Sequence, residues 1–293
     1  MDTSVRIIKA FLSRWLDNAG TDTNRTLRKL VEFGYYFSSF SPQRQFFSEV
    51  RKVISDNSSK YYSLARKLFL SVDRDRISEF GVAFGYYGFD RSSLIRGEKL
   101  FVRGKQSPVA GVITSRGDDP DNAGIAARLQ RLINGGTNIF FIFDDIPERD
   151  ENELYQIISR NPRKAFFIFT ANNSTALKYD QKNVMTVIDL RSGGCTSLSE
   201  QLMERRRLLG AYYVYNDDNA DTACSPGLLD EVCDKSCLFL FLKASEGCSQ
   251  PVREKVGAYG YLQKRRPTHP VFVSDIIGDL EWLNSGMQKN EKQ

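Results

Sequence analysis

The residues best suited to chemistry in this chain are carboxylates that end apolar runs. In FFIFDDIPERDENELYQII (residues 140–158), four large apolar residues lead straight into Asp144 and Asp145, then Ile146, Pro147 and an acidic, helix-like stretch. Other runs end alike. Asp189, Arg191 and Ser192 follow VMTVI; Asn216, Asp217 and Asp218 follow AYYVY; Asp275 closes VFVSD. Thr114, Ser115 and Arg116 end the run that starts at Pro108, Asn172 and Asn173 follow AFFIFT, and Lys243 and Ser245 follow CLFLFL. Several carboxylates on one rim can hold a hard cation or run general acid–base catalysis. Asp144, Asp145, Asp189 and Asp217 are the set that such a Mg-binding rim would use. The competing use of the same residues is to cap helix N-termini and solvate loops.

Other chemistries find less to work with. The single histidine, His269, sits in RRPTHP ahead of the last apolar run, so no Ser–His or Cys–His pair follows a strand. Five cysteines (Cys195, Cys224, Cys233, Cys237 and Cys248) contain no CxxC, and Cys233-x3-Cys237 is the only close pair. A zinc or iron–sulfur site needs three or four ligands at tight spacing. Cys237, which opens CLFLFL, reads as a buried residue at a strand. The odd count argues against a disulfide framework.

The elements that must position these residues change character near residue 105. Residues 1–105 read as a helical region. VRIIKAFLSRWL places Val5, Ile8, Leu12, Trp15 and Leu16 at helical spacing, and QFFSEVRKVI and YYSLARKLFL repeat the pattern on either side of a turn at SDNSSK. The aromatic row DRISEFGVAFGYYGF reads as core packing, with Gly81, Gly85 and Gly88 allowing close approach. Across residues 106–293, short apolar runs alternate with amphipathic helices. Ser197 and Glu200 form a capping box for the helix before AYYVY. Such alternation, with strands apolar on both faces, implies a parallel sheet wound by right-handed crossovers. Six βα units and a closing strand suit an incomplete (β/α)6 TIM-like barrel or an open doubly wound sheet. No GxGxxG follows a strand and no Walker loop is present.

The bulk properties are those of an ordinary globular chain: 293 residues, 41% apolar, 26% charged, net charge +5 without a block of like charges. No basic stripe or motif calls for nucleic acid. The N-terminal stretch is interrupted by charge too often for a signal peptide, and no apolar run is long enough to span a bilayer, so the expected location is the cytoplasm, away from membranes.

The order of the pieces resembles the radical SAM superfamily, and most closely a bacterial group with a helical N-terminal extension. SDNSSKYYSLARKLFLSVDRDRISEF is similar to that extension, and FGYYGFDRSSLIRGEKLFVRGKQSPVAGVI to the approach to the first strand. INGGTNIFFIFDDIPERDENELYQII resembles the second unit, with DKSCLFLFLKA and RPTHPVFVSDIIGD as the sixth strand and the return. The resemblance implies an incomplete barrel of six βα units. It also implies a second strand ending in Gly-Gly-Glu-Pro, whose backbone and acid hold the amino group of S-adenosylmethionine.

This chain departs from the pattern at each chemical position. Asp144, Asp145, Ile146 and Pro147 stand in the Gly-Gly-Glu-Pro places, and isoleucine cannot accept the ammonium's hydrogen bonds. The family's CxxxCxxC after the first strand is replaced by TSRGDDPDNAG, which has no cysteine. At the fourth strand, Asp189 and Ser192 retain polar groups where relatives touch the cofactor. The resemblance therefore implies a degenerate scaffold, a pseudoenzyme that holds neither a 4Fe-4S cluster nor S-adenosylmethionine. Its expected partner is another protein, either an active radical SAM paralogue or its peptide substrate, and the arginine- and aromatic-rich N-terminal helices offer a docking surface. The alternative is an enzyme or small-molecule binder that uses the acidic rim.

Overall fold

The structure, a computed structural model, describes residues 3–19, 22–38, 41–88, 108–114, 124–143 and 148–288. The first part is helical: α1 (Thr3–Asn18), α2 (Thr23–Phe37), α3 (Ser41–Ser55), α4 (Lys60–Ser71) and α5 (Arg74–Gly81), the last running on as a π-helix over Val82–Tyr87. Ser59 and Asp73 cap α4 and α5 with their side chains, and Asp22 caps α2. Of the three glycines in the aromatic row, only Gly88 needs to be glycine for space. A Cβ there would lie 2.1 Å from the Phe84 carbonyl oxygen and 2.9 Å from Ile139 Cδ1, whereas Gly81 and Gly85 have nothing within 4 Å.

Seven strands follow: β1 (Ala110–Ile113), β2 (Ile139–Phe143), β3 (Ala165–Thr170), β4 (Val184–Asp189), β5 (Leu209–Tyr215), β6 (Phe239–Ala244) and β7 (Phe272–Asp275). All pair in parallel, in the order β1-β2-β3-β4-β5-β6-β7. A sequential order has no point where the winding reverses, so this is a singly wound, curled half-barrel and not a doubly wound sheet. Between the strands lie α6 (Ile125–Asn134), α7 (Glu148–Arg160), α8 (Asn173–Lys178), α9 (Cys195–Glu204), α10 (Ala220–Ala223), α11 (Pro226–Asp234) and α12 (Gln250–Arg265), and α13 (Ile276–Gln288) follows β7 directly. The helix before β5 starts earlier than a Ser197 cap requires. The chain turns at Asp189–Ser192 and enters α9 at Cys195 with Gly194 at the cap, so Ser197 lies inside the helix and accepts from Gln201 instead.

Every residue of β2 and β3 is buried, as expected of central parallel strands covered on both faces. On the convex face Ile142, Ile168, Ile188, Leu240 and Leu242 pack against the crossover helices through Leu129, Ile158, Leu198 and Val232. The concave face is mainly aromatic. Its curl is measurable from contacts between distant strands: the rings of Phe141 (β2) and Phe241 (β6) are 6.3 Å apart. In a flat sheet, strands four apart lie about 19 Å apart. The helical region enters this concavity. Phe80 and Phe84 pack on Phe167 at 5.3 and 5.8 Å, and one apolar cluster draws on both the first helices and the sheet. From the other side α13 contributes Ile276 and Leu280 to the same cluster. Its Asn284 side chain accepts from the Ala110 N–H and donates to the Ala110 carbonyl, both at 3.3 Å, so a side chain stands where a further strand would pair with β1.

Candidate functional site

Parallel α/β sheets present ligand-binding residues at the carboxyl ends of their strands. Strand alternation aims Phe143, Phe169, Asp189, Tyr212 and Lys243 to the concave side of that mouth, one each from β2 to β6, with Phe143 opposite Phe169 and Asp189 opposite Tyr212 in the register. Phe143 and Phe169 stack at 4.2 Å, and Tyr212 meets both edge-on at 6.3 and 5.6 Å. The Lys243 ammonium lies 4.0 Å from the Phe143 ring centroid, across the concavity from its own strand. A cation over a ring face at this separation gains about 0.5–2 kcal/mol. Among the described residues the mouth is thus an aromatic layer with Lys243 and Asp189 at its border. At its β1 side Val112 is 43% exposed.

Asp189 sits at this border with its side chain 14% exposed. It accepts from the Arg191 N–H at 3.0 Å and pairs with Arg191 Nε at 3.6 Å. Ser192 donates to the Ala171 carbonyl at 3.4 Å. Asp217 is turned to a different task. It accepts the Ser249 N–H at 2.9 Å and the Cys248 thiol at 3.7 Å, at the start of α12, and these donors hold its carboxyl below the usual range. Asp189 and Asp217 therefore serve two separate turns. Asp144, Asp145, Ile146 and Pro147 lie outside the described residues, as do Ser115 and Arg116. Among the described residues, no group of three or more His, Cys, Asp or Glu is placed to hold a metal ion.

The remaining rim residues close turns. Asn172 caps α8, accepting from the Ser174 N–H at 2.9 Å. Asn216 accepts from the N–H groups of Asp218 and Asn219, both at 3.1 Å. Asp275 begins α13, accepting from the N–H groups of Ile277 and Gly278, while its Oδ1 is buried without a hydrogen-bond partner. Burial, helped by the charge of Asp279, raises its carboxyl to about 6. His269 lies ahead of β7 and pairs with Asp230 at 3.0 Å, away from the mouth.

The cysteines belong to the convex layer. Cys195 begins α9, Cys233 ends α11, Cys237 lies just before β6 with no exposed surface, and Cys248 lies ahead of α12. Burial pushes the Cys237 thiol up to about 12 and raises Cys224, Cys233 and Cys248 as well, which keeps them protonated near neutrality. Reading the rim alone points to Lys243 but not to its ring partners. The signal for it is a lysine at a concave position of an otherwise apolar strand, FLFLKA.

No family model, no curated protein and no solved structure matches this chain. No helix among the described residues is long and apolar enough to cross a membrane.

Proposed function

We propose that this chain is a non-catalytic, radical SAM-like half-barrel that works as the partner of another protein. By the resemblance, that partner is an active radical SAM enzyme or the peptide such an enzyme modifies. The observation that carries the reading is the placement of the thiols. A three-iron anchor needs three thiolates converging at the mouth, yet TSRGDDPDNAG after β1 has no cysteine, and the five cysteines belong to the second half of the chain, several of them buried behind the sheet. The aromatic layer of Phe143, Phe169 and Tyr212 adds support, because it fills the mouth with packed rings.

The acidic-rim alternative, a Mg²⁺ or metabolite site on Asp144, Asp145, Asp189 and Asp217, gains no support from Asp189 or Asp217. One carboxylate closes its own turn with Arg191 and the other holds the start of α12.

Anaerobic reconstitution with iron and sulfide, followed by desalting, tests the non-catalytic half. The expected product is iron-free protein that gives no heat with S-adenosylmethionine. Stoichiometric iron with a cluster absorption band would overturn the reading. Cross-linking in the native cell with mass spectrometry tests the other half. One protein recovered in stoichiometric amount is expected, and a chain recovered only alone would sink the partner role.

A further inference from the structure

The first helices carry a surface that the chain's own core does not use. On α1, Val5, Ile8 and Leu16 face inward and are buried. Ile7 and Phe11 lie on the opposite side, 45% and 41% exposed, and Trp15 continues their spacing by one more turn. Phe11, Trp15 and Phe33 of α2 form one aromatic group, with centroids 5.1–5.6 Å apart. Tyr36, one turn beyond Phe33, is 73% exposed. Rigid aromatic side chains gathered in this way on an outer face mark interaction surfaces.

This aromatic end is continuous with a basic one. Arg25, Arg28, Lys29, Phe33 and Tyr36 line the outward face of α2, with Trp15 as one wall, in an open groove of about 1040 Å³. Among the described lining residues the positive charge at the basic end outweighs the negative. Glu32 is neutralised by Arg51 at 2.7 Å, so Asp22, which accepts the Arg25 N–H at 3.0 Å as the cap of α2, is the carboxylate left among the described lining residues against Arg25, Arg28 and Lys29. Arg28 donates to the hydroxyl of Tyr62 at 2.8 Å and to the Asn57 amide oxygen, both neutral, so its charge remains. The groove therefore runs from three cations to a cluster of rings. Arg25 to Tyr36 spans about 16 Å, or three helical turns.

We infer that this groove seats an amphipathic helix of the partner protein. That helix carries large apolar residues at helical spacing against Trp15, Phe33 and Tyr36, with Phe11 packed at their edge, and Asp or Glu along the end that meets Arg25, Arg28 and Lys29. The inference rests on the partner-protein reading above and names where the partner docks. Exposed rings supply the contact area and the cations select the charge of the incoming helix.

The test uses the full-length chain and a fluorescein-labelled helical peptide of about 18 residues, roughly 27 Å long. It has Leu and Phe at i, i+3, i+4 and i+7 and Glu on its flanks. Fluorescence polarisation should show saturable binding that weakens about tenfold when Lys replaces Glu, and as much again in an Arg25→Glu, Lys29→Glu chain. Phe11→Ala with Tyr36→Ala should also cost about tenfold, as exposed positions whose loss leaves the circular dichroism spectrum unchanged. Equal binding of both peptides, or binding of neither, overturns the inference. So does sedimentation with phosphatidylglycerol vesicles that the same substitutions abolish, which would assign the face to lipid, or a dimer that they dissolve, which would assign it to a second copy. The two readings fail separately. A chain that holds a cluster yet binds the acidic helix removes the non-catalytic reading and keeps the groove. A cluster-free chain whose cellular cross-link is indifferent to Arg25→Glu and Lys29→Glu removes the groove and keeps the reading.

Discussion

The two faces of the sheet are built from different materials. The convex face is mostly aliphatic and meets the crossover helices one unit at a time, as Ile142 and Ile168 do with Leu129 and Ile158. The concave face is mostly aromatic, and its contacts join elements far apart in the chain: Phe80 with Phe167, Phe141 with Phe241, Phe143 with Lys243. The convex face thus makes the half-barrel stand, while the concave face ties the N-terminal helices and strands as far apart as β2 and β6 into one core. A scaffold of this kind can lose the ligands at its rim without losing its packing, because the two depend on different residues.

The largest expected effect follows from that contrast. Phe167 is 4% exposed and touches Phe80, Phe84, Phe141 and Phe241. Phe167→Ala should destabilise by about 3–5 kcal/mol and loosen the helical region from the sheet. Its convex neighbour Ile168→Val should cost only about 0.5–1.5 kcal/mol and leave a single transition. Urea denaturation followed by far-UV circular dichroism and by tyrosine fluorescence would check both. A Phe167→Ala chain whose helical region and sheet still unfold in one coincident transition would break the distinction between the faces.

The seam of the half-barrel comes next. Asn284 satisfies both backbone groups of Ala110, a residue 3% exposed at the edge of the sheet. Asn284→Ala strands these groups and should cost about 1–3 kcal/mol. Hydrogen exchange should then speed up at β1 before it does at β3. An unchanged rate at β1 would mean that the edge is protected by something other than α13.

Much of this architecture can be read from residue order. Each of the seven strands coincides with an apolar run, because strands covered on both faces need uninterrupted hydrophobic sequence, and Val5, Ile8 and Leu16 mark the buried side of α1. Local patterns say less about where residues meet. Lys243 and Phe143 are a hundred positions apart, and only the curl of the sheet brings them to 4.0 Å. Helix α2 lies in NRTLRKLVEFGYYF, where Leu27, Leu30 and Val31 keep a helical period, but local order does not show that its basic and aromatic outward side meets Trp15 of α1. Ser197 and Glu200 have the spacing of a capping box, yet the tight turn after Asp189 starts α9 at Cys195. Asp217 looks like any rim acid until Ser249 is seen beneath it.

A smaller effect separates Asp275 from the rim acids it resembles in sequence. Its carboxyl is raised to about 6 by burial and by Asp279, with Lys264 and the N–H groups of Gly278 and Ile277 opposing. The folded state therefore holds this proton more tightly than the unfolded chain does. The stability that results is complete below about pH 4 and is lost as pH rises through 6. The full shift would be worth roughly 3 kcal/mol, and contact with solvent leaves about 1–2. Asp275→Asn keeps the hydrogen bonds to α13 and removes the titration. The stability difference between wild type and variant should then tilt between pH 4 and 6 and flatten above. A flat difference across that window would place Asp275 with the solvated acids.

The smallest effect concerns the mouth itself. Lys243 covers the ring of Phe143, so Lys243→Met, which keeps the length and loses the charge, should lower stability by at least about 0.5–1 kcal/mol, the worth of a partly exposed cation–π contact. A charge retained to bind an anionic ligand behaves in the opposite way. Removing it relieves a desolvation cost that exceeds the cation–π gain, so Lys243→Met would then stabilise the empty chain. An increase in melting temperature would therefore reopen the mouth as a ligand site and count against a purely packed layer of Phe143, Phe169 and Tyr212. A decrease of the expected size would leave Lys243 as the border of that layer.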